Sequence, residues 1–226
     1  MEPKVIENSF LAQEELEDIK TKVFMLKDHW KPISDQLEKS SQVVSKILPA
    51  GAYSDYFSEK EIANNNKLMF ENFGLYYEKI RNRLSKYFNV PIGYSGKLQF
   101  PGFHIFLNNG TSQVFKSNIN FHLDRFPKLD KLVVFGKIES IIIPITLPSS
   151  GGCLLYNSNG ERNASNRYKP RIPSDKVFNY TLGMMTTWPG DLLHSIGPFS
   201  LMDSSESRIT MQMHVNLQSN HGTIFW

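Results

Sequence analysis

The residues in this chain best suited to chemistry are two imidazoles and a carboxylate. His122 and Asp124 lie in the run His122-Leu123-Asp124, and His194 ends the phrase Trp188-Pro189-Gly190-Asp191-Leu192-Leu193-His194. Alternate side chains of a strand share a face, so His122 and Asp124 point the same way. One more imidazole completes a set that caps one face of a divalent metal such as Fe(II) and leaves positions open for other ligands. An H-x-D triplet is a weak signal alone. Its force comes from the elements that position it.

From residue 94 onward, short apolar runs alternate with Gly, Pro, Asn and Ser clusters. They predict strands over residues 97–107, 115–124, 138–147, 153–157, 177–182, 184–188, 191–196 and 208–217. So many short strands in one region predict a cupin-like double-sheet jelly roll. Residues 158–174, with Asn159-Gly160, Pro170 and Pro173, read as a long loop of the kind that gates a barrel mouth. The first part of the chain reads as helical. Leu11, Leu16, Ile19, Val23, Leu26, Leu37, Val44 and Ile47 recur at helical spacings over residues 11–47, interrupted by Pro32. A second helix is expected over 59–88, with Leu68, Phe70, Leu75, Tyr76, Ile80, Leu84 and Phe88 as its apolar stripe. The expected fold class is mainly β with flanking helices (α+β). The expected organisation is one domain over 1–226: a mostly helical flank at 1–93, a jelly-roll core at 94–217 and a C-terminal tail at 218–226.

On that scaffold Asn120 shares the face of His122 and Asp124, which makes it a candidate substrate contact. The last strand turns Ile209, Met211, Met213 and Val215 toward the helices, and Arg208, Thr210, Gln212 and His214 inward. So polar an inward row is costly unless a ligand or metal shell satisfies it.

The order of these features resembles the Fe(II)/2-oxoglutarate-dependent dioxygenase superfamily over roughly residues 97–217. The matching features are H-x-D, a Gly151-Gly152 strand, the G-x-x-x-x-W-P-G-D-x-x-H phrase over 183–194, and Arg208 downstream. The resemblance implies a double-stranded β-helix core with the metal at one mouth. It implies His122, Asp124 and His194 as iron ligands, Arg208 paired with the distal carboxylate of 2-oxoglutarate, and Thr210 hydrogen-bonded to that carboxylate. The implied reaction consumes O2, oxidises 2-oxoglutarate to succinate and CO2, and hydroxylates an unactivated C–H bond of a small molecule. Arginine suits that role, because its planar fork meets a carboxylate with two parallel hydrogen bonds.

His104, in the strand before H-x-D, is either a cosubstrate-site residue or a satisfied core histidine. His214 is expected as a deep lining residue. Trp226 is either an aromatic wall over the mouth or part of a frayed end. Asp191 reads as a turn residue. The Pro101-Gly102-Phe103-His104-Ile105-Phe106 strand is similar to the branch that hydroxylates or halogenates free amino acids, so a small polar metabolite, with a free amino acid foremost, is the expected substrate. Asp124 argues against halogenation, which in that branch needs a glycine or alanine in its place. Desaturation, cyclisation and protein hydroxylation stay open within the family. Outside it, the alternatives are a cupin-like metal-binding module or a Zn-dependent hydrolase on the same three ligands. Neither accounts for Arg208 and Thr210.

Composition narrows the class further. With 226 residues, 40% hydrophobic and 12% aromatic, the chain can bury a sizeable core. Its 25 basic and 22 acidic residues are scattered, net charge +3, which gives no nucleic-acid footprint. No arginine follows Arg208, unlike the alkylation-repair enzymes of the family. The single cysteine, Cys153, excludes an internal disulfide and suits a reducing compartment. No secretory signal or membrane span is expected, and a cytoplasmic location follows as the expectation.

Overall fold

The computed structural model describes residues 2–32, 44–49, 58–108, 113–115, 121–124, 136–157 and 176–226. Asn120 and the expected loop at 158–174 lie outside the described residues.

The major sheet is built around β13 (Ser207–Leu217), which lies between β7 (Lys137–Thr146) and β5 (Gly102–Leu107). Beyond β7 come β10 (Met185–Pro189) and β1 (Lys4–Glu7); beyond β5 come β3 (Val44–Leu48) and β2 (Lys31–Pro32). The C-terminal β14 (Gly222–Phe225) pairs with β13 and, in parallel, with β4 (Ile92–Tyr94). A smaller sheet orders β11 (Leu193–Ile196), β8 (Cys153–Asn157) and β9 (Lys176–Asn179). A two-stranded ribbon pairs β12 (Phe199–Leu201) with β6 (Gln113–Phe115). The chain is thus mostly β, with two α-helices among the described residues: α1 (Gln13–Met25) and α2 (Glu59–Phe88).

Alternation along the central strands divides the interior in two. Ile141, Ile143 and Ile145 of β7 and Ile209, Met211, Met213 and Val215 of β13 join the helices in one large core. Ile142, on the other face of β7, packs instead with Leu154, Tyr156, Tyr180, Met184, Trp188 and Leu192, between the two sheets. The inward polar face of β13 therefore borders the second interior, as its period of two requires.

α2 begins with a capping box in which Ser58 and Glu61 satisfy each other's backbone donors, and it ends at Asn89 in a left-handed conformation. Its buried row is Met69, Phe73, Tyr76, Tyr77, Ile80 and Leu84. The expected stripe was partly misphased: Leu75 is 84% exposed and Phe70 is also exposed, because the 69–73–77 row, not the 68–75 row, meets the sheet. Phe73 stacks on Phe103 of β5 with ring centroids 4.8 Å apart, and Tyr77 donates to the Pro101 carbonyl at 2.7 Å. Buried Asn66 donates to the Leu98 carbonyl and accepts from the Phe100 N–H, both at 2.8 Å. α2 thereby fixes the segment that enters β5.

The flank departs from the helical reading in a second way. Val44 and Ile47 belong to strand β3, paired with β5, and not to a helix. β1, likewise, extends the major sheet. Val44 and Ile47 fit a helical spacing only by coincidence, since β-branched residues in a short segment also suit a strand. No helix among the described residues is long and apolar enough to cross a membrane.

Candidate metal centre and buried cation

His122 and His194 meet through a two-way backbone bridge, His122 N to His194 O at 2.9 Å and His194 N to His122 O at 3.0 Å. Two residues on, the Asp124 N–H donates to the Gly190 carbonyl at 3.0 Å. The H-x-D segment is thus laid antiparallel along the turn and strand that carry His194. Gly190 makes this possible: its own N–H donates to Ile138 O at 2.9 Å, and an added Cβ would lie 2.9 Å from an Ile138 methyl. The turn closes through Leu192 N to Pro189 O, with Asp191 exposed at its tip, as a turn residue should be.

One ligand atom from each of His122, Asp124 and His194 lies within 4.8 Å of the others, close enough to converge on one ion. His194 Nε2 is 3.6 Å from one Asp124 oxygen and His122 Nε2 is 3.8 Å from the other. His194 Nδ1 lies 2.9 Å from the Leu192 carbonyl, where it donates; that leaves the Nε2 lone pair facing the carboxylate, the tautomer a metal ligand needs. The Trp188 ring covers the His194 ring edge-on at 5.3 Å. Burial works against the Asp124 carboxylate, but the His194, His214 and His122 imidazoles and a Ser140 hydrogen bond outweigh it and hold its pKa below the usual range.

Arg208 is the largest side chain that is fully buried. Among the described residues no hydrogen-bond partner reaches any of its three guanidinium nitrogens. Its guanidinium carbon sits 5.4 Å from the Phe106 ring, 5.3 Å from Phe199 and 5.7 Å from Tyr180. The Tyr180 hydroxyl is likewise buried without a partner among these residues. Gly152 lies beside both: an added Cβ there would crowd a Leu147 methyl at 3.0 Å and meet Arg208 Nε at 3.4 Å and the Tyr180 ring at 3.5 Å in ordinary contact. Aromatic faces offset only a small part of the desolvation of a buried cation. Arg208 and Tyr180 thus bring buried donors without a partner among the described residues to one neighbourhood.

Thr210 lies on the same face of β13, its hydroxyl accepting from Gln212 Nε2 at 3.2 Å. His104, across from Thr210 in the β5–β13 register, is buried and feels the charges of Arg208, His122, His214 and Asp124, which places these groups around one interior. Burial first, then the Arg208 charge, pushes its pKa down to about 3. His214 lines the same interior, and burial again lowers its pKa. The C-terminal segment is ordered rather than frayed. Trp226 is buried, its N–H donates to Gln99 O at 2.9 Å, and its ring lies 5.7 Å from that of His104.

That ring lies directly over Gly102, where an added Cβ would be 1.6 Å from a ring carbon. Gly102→Ala is therefore expected to displace Trp226 and cost roughly 1–3 kcal/mol, the usual penalty of overpacking. Urea denaturation checks this: in the Gly102→Ala/Trp226→Ala double variant the two losses should be far from additive.

Acidification is expected to destabilise the fold. His104 and His214 are neutral when folded, with folded pKa values below that of a free imidazole, so the unfolded chain binds more protons below pH 6.5. Each such proton costs about 1.4 kcal/mol per pH unit between the two values. For His104 that window runs from 6.5 down to about 3. Unfolding free energies measured between pH 7.5 and 5 should fall, and the slope should flatten in His104→Asn.

Sequence reasoning missed Ser140, which bonds Asp124, and Tyr180 and Phe199 beside Arg208. Ser140 left a trace, as the polar residue just before the apolar run Ile141-Ile142-Ile143. Tyr180 and Phe199 left none.

No family profile and no curated protein sequence matches the chain. Among solved structures, the chain is similar to an oxidoreductase of the 2OG-Fe(II) oxygenase family from Burkholderia pseudomallei. That match has 12% identity and a TM-score of 0.50 and covers 93% of this chain and 82% of that one. It is also similar to SnoN, a non-heme alpha ketoglutarate dependent epimerase from nogalamycin biosynthesis. There the identity is 9% and the TM-score 0.51, over 94% of this chain and 80% of that one. At such identities the likeness is one of fold.

Proposed function

We propose that this chain is an Fe(II)- and 2-oxoglutarate-dependent oxygenase, one double-stranded β-helix domain over 1–226 that hydroxylates a small polar metabolite, with a free amino acid as the substrate class. The observation that carries this reading is Arg208: a fully buried cation with no hydrogen-bond partner among the described residues, sharing an interior with a two-histidine, one-carboxylate cluster. Activating water on zinc does not itself need such a cation.

In this reading His122, Asp124 and His194 hold the iron. Arg208, with Thr210 and the Tyr180 hydroxyl, takes the distal carboxylate of 2-oxoglutarate. Bound together, iron and 2-oxoglutarate supply the oxidising power that puts one atom of O2 into a C–H bond and the other into succinate, with CO2 released. The residues of the chain bind and orient. Neutral His104 keeps a second positive charge away from the cosubstrate wall, and the Trp188 ring shields His194 from water. His214 and Trp226 are proposed to line the substrate side, and Asn120, two residues before His122 in the sequence, to contact the substrate.

Anaerobic addition of Fe(II) and 2-oxoglutarate to the protein tests this reading. A new visible charge-transfer band that needs both additions is expected. Tight Zn(II) binding with no such band would favour a hydrolase or a binding module. Succinate formation stimulated by one of the twenty amino acids would then identify the substrate.

A further inference from the structure

The Asp124 carboxylate is held by more than its neighbouring imidazoles. Its Oδ2 accepts a short hydrogen bond from the hydroxyl of Ser140 on β7. Ser140 is 1% exposed and has a second partner, His214 Nδ1 at 3.2 Å. Ser140 and His214 face each other in the β7–β13 register, so the backbone ladder itself sets their approach.

The proton count fixes the direction of this chain. A hydroxyl has one proton, and a carboxylate can only accept. Ser140 therefore donates to Asp124, and its oxygen can meet Nδ1 only as an acceptor. His214 must carry its proton on Nδ1. Its ring also packs against Phe225 of β14, with centroids 5.5 Å apart.

Taking the triad as the metal centre proposed above, we propose that Ser140 and His214 form a positioning relay for Asp124. His214 Nδ1–H donates to Ser140 Oγ, which donates to Asp124 Oδ2. The terminal torsion of an aspartate is broad, so an unanchored carboxylate would sample orientations that face away from His122 and His194. The relay pre-orders it, and the cost of ordering is met in folding, before a metal arrives. It also ties the ligand to β13, the strand that carries Arg208 and Thr210.

The test is metal binding by the whole protein without cosubstrate or turnover, read by titrating Co(II) and following its visible bands. Ser140→Ala should weaken Co(II) binding by about 10- to 100-fold, the scale of losing a partner that orients a ligand. His214→Asn keeps a side-chain N–H near the Nδ1 position and should bind close to the parent. His214→Leu should weaken binding like Ser140→Ala, and the Ser140→Ala/His214→Leu pair should be no weaker than Ser140→Ala alone. Parent-like binding by Ser140→Ala, or indistinguishable binding by His214→Asn and His214→Leu, would overturn the relay. The His214 pair decides the matter if Ser140→Ala does not fold. Asp124→Ala in the same titration separates the two readings. If it binds as the parent does, the metal centre itself is refuted; if it loses Co(II) while Ser140→Ala does not, only the relay is.

Discussion

Arg208→Met is expected to make the ligand-free protein more stable and to remove its response to 2-oxoglutarate. The two effects have one cause. Arg208 is fully buried, and its nitrogens find no hydrogen-bond partner among the described residues. Holding that cation away from water is costly, and replacing such a group with an apolar one of similar volume stabilises by roughly 1–4 kcal/mol. In the parent, 2-oxoglutarate should return that energy. At a hundred times its dissociation constant a ligand adds about 2.7 kcal/mol, which appears as a rise in Tm. Arg208→Met should melt higher without 2-oxoglutarate and should not shift on its addition. Its 2-oxoglutarate requirement should rise by about 30-fold or more, since losing one partner of a buried charge pair costs about 2–5 kcal/mol. Metal binding should survive. Thermal melts with and without 2-oxoglutarate measure all but the last, and a parent-like Tm shift in the variant would remove Arg208 from the anion site.

Asp124→Ala is expected to abolish succinate formation coupled to substrate. Asp124 supplies the only carboxylate of the candidate triad. Its loss should weaken metal binding by more than the roughly 100-fold upper range for residues that merely orient a ligand. Fold stability should also fall at neutral pH, because the imidazole and Ser140 contacts of the Asp124 carboxylate outweigh its desolvation, so its charged form favours the folded state. Succinate release with and without substrate, alongside a Co(II) titration, checks the outcome. Undiminished coupled turnover would take Asp124 out of the metal site.

Part of this site is legible in the sequence, and for a local reason. Side chains of a strand alternate whatever the strand pairs with. The sorting of Ile209, Met211, Met213 and Val215 to the helices, and of Arg208, Thr210 and His214 to the interior, could therefore be read from β13 alone. His122 and Asp124 are placed differently: the described residues 121–124 form no strand, and an isolated bridge to His194 and the Asp124 N–H to the Gly190 carbonyl bring the pair into the site. Helical phase was less legible. Leu68, Phe70 and Leu75 fit a stripe as well as Met69, Phe73 and Tyr77 do, and the choice belongs to the sheet that α2 meets. Val44 and Ile47 are the same lesson in a shorter piece: two apolar residues three apart suit a helix, but pairing with β5 makes them a strand.

By itself, the sequence determined the residue types and the order of the proposed metal and dicarboxylate ligands, because motif spacing and strand alternation are properties of neighbouring residues. The tertiary structure alone decided which distant groups complete that site. Ser140 reaches Asp124, Tyr180 and Phe199 surround Arg208, and Trp226 settles over Gly102 only once strands far apart in the chain lie side by side. Such contacts depend on pairing register and sheet-on-sheet packing, set by the burial of whole faces and not by the spacing of any short segment.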